Sequence, residues 1–163
     1  MFENLLHILG LSAFSLKGFG PLLLEGTWMT IKLSILSLLL SVLLGLIGAS
    51  AKLSSSSLLR IPAQLYTTLI RGVPDLVLML LIFYSLQTWL SNLTVALDWD
   101  YIEIDSFSAG IITLGFIYGA YFTETFRGAI LAVPRGQMEA ATAYGLSRSQ
   151  RFRFVVFPQM MRF

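Results

Sequence analysis

The sequence predicts an all-α integral membrane fold with about three transmembrane helices, and two observations carry that prediction. Hydrophobic residues make up 56% of the 163 residues and charged residues only 12%, against about 25% charge in an ordinary soluble domain. One soluble domain of this length would need more polar side chains to cover it. Uncharged stretches also recur at lengths that suit a hydrocarbon core of ~30 Å, which takes about 20 helical residues to cross.

Residues 33–51 carry no charge and are rich in Leu, Ile and Ser, which predicts a first span over 28–50. Lys32 falls near its start, where a long stem lets the ammonium reach the headgroups. Residues 76–97 are also uncharged and predict a second span over 72–92. Residues 106–123 are apolar and glycine-containing, and predict a third over 107–127. Trp28 and Trp89 sit near span ends and Trp99 lies just beyond, as interfacial rings do. Residues 1–24 are apolar but broken by Lys17, Gly18, Gly20 and Pro21. They are expected to form a separate segment lying on the outer surface, the alternative being a further full span that would disturb the charge alternation. They have no basic n-region and do not read as a signal peptide. The serines at 54–57 read as a polar linker.

Lys and Arg set the orientation. The loop after the first span holds Lys52, Arg60 and Arg71 without an acid. The segment after the third holds Arg127, Arg135, Arg148, Arg151, Arg153 and Arg162 against Glu139. Both are expected inside. The loop between spans two and three holds Asp98, Asp100, Glu103 and Asp105 without a base and is expected outside, as is the N-terminus. There is no cysteine, and the single histidine, His7, has no evident partners. No catalytic residue and no metal site are expected.

Residues 139–158, EAATAYGLSRSQRFRFVVFP, carry the most specific pattern. Glu139 to Tyr144 are mostly helix formers, with the acid placed to favour a first turn. Gly145 permits a left-handed C-cap. Ser147 suits the N-cap of a second helix, and Pro158 is expected to end or kink it. Two short amphipathic helices joined at a glycine elbow, on the inner face, would suit docking on a soluble partner. The same pattern is open to a second reading, an amphipathic helix drawn to anionic lipid.

Two acids adjoin the apolar spans, and such acids point to function when buried. Pro74 suits the first position of the second span, which puts Asp75 in the first turn, where a carboxylate is stable without any ligand. A cationic substrate is the other reading. Glu124, near the inner end of the third span, needs a partner, and Arg127 three residues on can supply it. Tyr118 and Tyr121 share that stretch and either line a path or pack. Gly115 and Gly119 form a small-x-x-x-small face.

The segment at 139–158 resembles the cytoplasmic signature of permease subunits of ABC importers, E-A-A-x3-G-x9-I-x-L-P. Here it reads Glu139-Ala140-Ala141, Gly145, Val155, Phe157, Pro158, with Val and Phe replacing Ile and Leu. Leu69-Ile70-Arg71-Gly72-Val73-Pro74 and Tyr118 through Ala129 resemble polar amino-acid permeases, of the type in histidine/lysine/arginine/ornithine importers. The resemblance implies a partial type I ABC importer permease domain over 25–163, with ATPase docking through Glu139, Ala140, Ala141, Gly145 and Pro158. It implies import of amino acids, basic ones foremost, past a possible substrate path at Asp75, Glu124, Tyr118 and Tyr121. It further implies a separate ATP-binding subunit, which holds ATP and Mg so that this chain carries no cofactor, and no P-loop motif occurs here. The other implied partners are a second permease subunit, homologous or identical, a periplasmic amino-acid-binding protein and the lipid bilayer, with no nucleic acid. Family members continue with about two further spans, so the sequence is expected to be a fragment or the product of a truncated gene. The alternatives are a non-transporting remnant or anchor, and a secondary transporter that needs no ATPase.

Overall fold

The computed structural model describes residues 19–97 and 104–162, and all the regular elements among them are helical. They are α1 (Gly20–Leu53), α2 (Ser57–Gly72), α3 (Asp75–Ala96), α4 (Ser106–Leu131), α5 (Arg135–Ala143), α6 (Arg148–Arg151), a π-helical turn (Phe152–Val156) and α7 (Phe157–Met160). Three of them, α1, α3 and α4, are long and apolar enough to cross a membrane. They correspond to the three predicted spans, and α1 and α4 run longer than their apolar stretches.

The first correction lies at the start of α1. In the sequence Pro21 reads as a break, yet it sits in the first turn, where its missing N–H costs nothing and its fixed φ favours the helix. Residues 20–24 therefore belong to α1, and residues 1–18, with His7 and Lys17, lie outside the described residues. Asp98, Trp99, Asp100 and Glu103 lie outside them too.

The chain divides into two units at Ile35. In the first, the Thr27 and Thr30 hydroxyls donate back to the carbonyls of Leu23 (2.7 Å) and Gly26 (2.9 Å). Such bonds let a hydroxyl sit in an apolar helix without an unpaired donor. The Lys32 ammonium lies 5.7 Å from the Trp28 ring centre, so the interfacial aromatic also holds the cation.

The second unit, residues 36–163, contains the remaining structure. Its α1 and α4 segments meet along a seam of small residues. Ser37, Ser41, Gly45, Gly48 and Ala49 are buried on α1, and Ala109, Thr113, Gly115, Gly119, Ala120 and Thr123 on α4. A Cβ at Gly45 or Gly48 would come within 3.0 Å of Phe122 or Thr123, and one at Gly115 or Gly119 within 3.0 Å of Leu40 or Leu44. Lipid tails are as apolar as Leu, so close van der Waals contact rather than hydrophobic burial holds such helices together. The expected face at Gly115 and Gly119 is therefore a contact, with a second glycine pair opposite.

The second correction is α2. In the sequence, residues 57–71 read as part of the loop after the first span, and residue 72 as the start of the second. They form a 16-residue helix with Pro62 inside it. Thr67 and Ile70 are buried, and Ile70 joins Ile82, Ile117 and Ala120 in one core, with Tyr66 packed against it. Tyr66 donates to the Phe116 carbonyl, and burial pushes its phenol up to about 12. Packing against α3 and α4 thus tolerates Pro62 inside an otherwise amphipathic segment. At the far end, Asp105 caps α4 by accepting from the amides of Phe107 and Ser108, both at 3.1 Å. The Ser108 hydrogen bonds foremost hold its carboxyl below the usual range.

Candidate functional site

Two polar clusters and one helical elbow account for the candidate residues. The first cluster joins the start of α3 to α4. Pro74 is the N-cap of α3, one position earlier than expected, and Asp75 lies in the first turn. The Tyr121 hydroxyl donates to Asp75 Oδ1 at 2.7 Å across 46 residues of sequence. The Arg71 guanidinium lies 5.6 Å from the Tyr121 ring centre, within cation–π range. The Tyr118 ring lies 6.0 Å from that of Tyr121, tilted by 41°, and Tyr118 is exposed. Asp75, Tyr118 and Tyr121 are thus neighbours, with one carboxylate oxygen bound by a phenol. A carboxylate flanked by aromatic faces can receive a cation together with its aliphatic stem.

Glu124 stands one turn further along α4, in a second cluster. Arg127 Nε donates to its Oε2 at 2.9 Å, as the i,i+3 spacing predicts. Its Oε1 is taken by the Lys52 ammonium at the end of α1, which also donates to Thr67 Oγ1 at 2.9 Å. Lys52 was read only as an inward-facing loop charge. Nothing in the sequence singled it out, because its partner lies 72 residues away.

The elbow is built as the sequence suggested, with three differences. Gly145 has φ +76°. Its amide bonds to the Thr142 carbonyl at 2.9 Å and the Leu146 amide to the Ala141 carbonyl at 3.1 Å. That is the paired C-terminal closure in which an αL residue satisfies the last carbonyls. Ser147 then caps α6 through a capping box with Gln150, and Arg151 Nη1 reaches back 2.7 Å to Thr142 Oγ1. The first difference is that α5 begins at Arg135 with Pro134 as its N-cap, so Glu139 lies beyond the first turn. The second is at Pro158, which does not end the helix. It has no N–H for the carbonyl four residues back, and the Phe157 amide bonds instead to Phe152, five residues back. A π turn accommodates the proline and the helix resumes.

The third difference concerns the docking residues themselves. Glu139, Ala140, Gly145 and Pro158 are exposed, but Ala141 is buried in its own chain. Val156 and Met160 pack with Ala129 and Val133, so the segment is anchored beneath the end of α4. Tyr144, Phe154 and Met161 remain exposed beside it, at 86%, 63% and 69%. These aromatic and apolar side chains, among exposed arginines, resemble the core of a protein interface more than a solvated face.

Comparison with known proteins gives a consistent picture. Residues 41–163 match the family model described as "Binding-protein-dependent transport system inner membrane component". The histidine/lysine/arginine/ornithine transport system permease protein HisQ of Escherichia coli (strain K12) is 59% identical over 148 residues, 91% of this chain and 65% of that protein. The arginine ABC transporter permease protein ArtQ of Haemophilus influenzae is 36% identical over 144 residues, 88% of this chain and 62% of that protein. The crystal structure of an amino acid ABC transporter with histidines aligns with a TM-score of 0.69 at 34% identity, over 91% of this chain and 64% of that chain. The chain therefore spans about two thirds of the length of these relatives.

Proposed function

The chain belongs to the family of binding-protein-dependent transport system inner membrane components, and from that premise we propose that it supplies part of the translocation pathway of an amino-acid ABC importer. A separate ATP-binding subunit hydrolyses ATP with Mg, and this chain is not itself an enzyme. A second permease subunit completes the pathway, and a periplasmic binding protein delivers the amino acid. The N-terminus lies outside. Span alternation and the positive-inside rule support that orientation.

The observation that carries the reading is the α5–Gly145–α6 elbow. It is closed by two backbone hydrogen bonds, anchored under a membrane-spanning helix, and exposes Glu139, Ala140 and Tyr144. An ATP-binding subunit that receives this elbow can move α4 directly, because no flexible linker intervenes. The substrates proposed are basic amino acids. The substrate names of the two relatives support this, and so does the Asp75–Tyr121–Tyr118 cluster, whose carboxylate suits a guanidinium, imidazolium or ammonium. Glu124 borders the same path. Both of its oxygens are already engaged, so a substrate cation would have to displace Lys52 or Arg127.

The test is co-purification of the chain with its ATP-binding subunit, repeated with Glu139→Arg and Gly145→Pro. Proline cannot adopt a φ of +76°. Both variants are expected to lose the ATP-binding subunit while still inserting in the membrane. Retention by both would sink the coupling assignment.

A further inference from the structure

The Lys52–Glu124–Arg127 cluster is unusual for its position. It ties together the end of α1, the middle of α2 through Thr67, and α4. The Lys52 and Glu124 side chains are only 11% and 17% exposed, whereas Arg127 is 36% exposed. Immediately beside it lies the tightest part of the seam, where Thr123 fills the space against Gly48. A charged group there is screened little by salt, and Glu124 is hydrogen-bonded at both oxygens. Two cations of this chain face one carboxylate, so the cluster has no unmet need for a cationic ligand.

We infer that Lys52 is a positioning residue for transport: through Glu124 and Thr67 it clamps the end of α1 and the middle of α2 to α4, so that these parts move as one piece. This rests on the coupling role proposed above for the elbow. The elbow is anchored to the end of α4 by Val133, Val156 and Met160, and Glu124 lies two turns before that end. A displacement received at the elbow therefore reaches α4 first. The clamp passes it on to α1 and α2, which among the described residues make no comparable contact with the elbow. Close packing at Gly48 argues that the clamp stays shut through the cycle, since opening it would separate a seam that leaves no room for even one added methyl group.

The assembled transporter in proteoliposomes tests this, with ATP hydrolysis and amino-acid uptake measured together. Lys52→Met is expected to leave the ATP-binding subunit bound and ATP hydrolysis running. Uptake per ATP should fall at least about fivefold, the low end of a typical coupling energy. Lys52→Arg is expected to restore it. If Lys52→Met fails to fold, the double variant Lys52→Met/Glu124→Gln removes the carboxylate oxygen left without its ammonium and should show the same uncoupling. The chain contains no cysteine, so Lys52→Cys/Glu124→Cys joined by a short bifunctional thiol reagent adds the only thiol pair in it. Joining the pair should preserve more uptake than leaving it unjoined. Loss of uptake on joining would make the cluster a gate and overturn the clamp, as would an unchanged uptake-to-ATP ratio in Lys52→Met and the double variant. A wild-type chain that binds no ATP-binding subunit would overturn the coupling reading, and this inference with it.

Discussion

Asp75 illustrates how a single residue can serve two demands. In the first turn of α3 its charge is stabilised by the helix N-terminus, by about 0.3–1 kcal/mol in typical cases. That alone accounts for its presence. The Tyr121 hydroxyl adds a directed hydrogen bond and leaves the second carboxylate oxygen for another cation. Asp75→Asn keeps the size and the acceptor while removing the charge. For labelled arginine or histidine it is expected to raise the KM of uptake about tenfold, the equivalent of one 1.4 kcal/mol interaction. An unchanged KM would return Asp75 to a purely structural role, and uptake of glutamine or glutamate alone by the wild type would remove the basic-substrate proposal. At this scale the sequence was informative only for partners within a turn or so. Arg127 was legible as a partner of Glu124 because a helix brings i and i+3 together. Lys52–Glu124 and Asp75–Tyr121 were not, since their pairing depends on how separate helices pack.

Among the elements, legibility followed local chemistry. Gly145, Ser147 and Gln150 specify an end and a start whatever surrounds them, and the elbow formed where the sequence placed it. The helix α2 is harder to read. Pro62 lies inside it, although Arg60, Gln64, Thr67, Thr68 and Arg71 recur on one face at helical spacing, and it is held by Tyr66, Thr67 and Ile70 against other helices. The π turn was equally hidden, because it depends on how the chain answers Pro158. The elbow offers a direct prediction. Gly145→Ala forces a Cβ onto a left-handed residue, at a cost of roughly 1–2 kcal/mol, although no neighbouring atom lies within 4 Å to clash with it. Amide hydrogen exchange at residues 145 and 146 should accelerate and binding of the ATP-binding subunit should weaken, with the three long helices unaffected. Unchanged exchange would mean that the closure does not need the αL glycine.

For residues 36–163 as a whole, the determining feature is the glycine seam between α1 and α4. Gly48→Leu would drive a side chain into Thr123 and is expected to cost at least about 1–3 kcal/mol, the usual penalty for overpacking. Gly128→Ala, on the same helix α4 but with open space around it, is expected to be neutral or to gain up to about 1 kcal/mol of helix propensity. Thermal inactivation in detergent, followed as loss of the monodisperse protein, separates the two, and equal stability of both variants would remove the seam from the account. The sequence by itself determined the solvent, the number of long helices and the elbow, because hydropathy, span length and cap chemistry act locally and survive any arrangement of neighbours. Only the tertiary structure decided where α2 packs, that Lys52 closes on Glu124, and that Asp75 meets Tyr121. Each of those depends on how separate helices pack, and between α1 and α4 that is set by where two glycine pairs let the backbones come together.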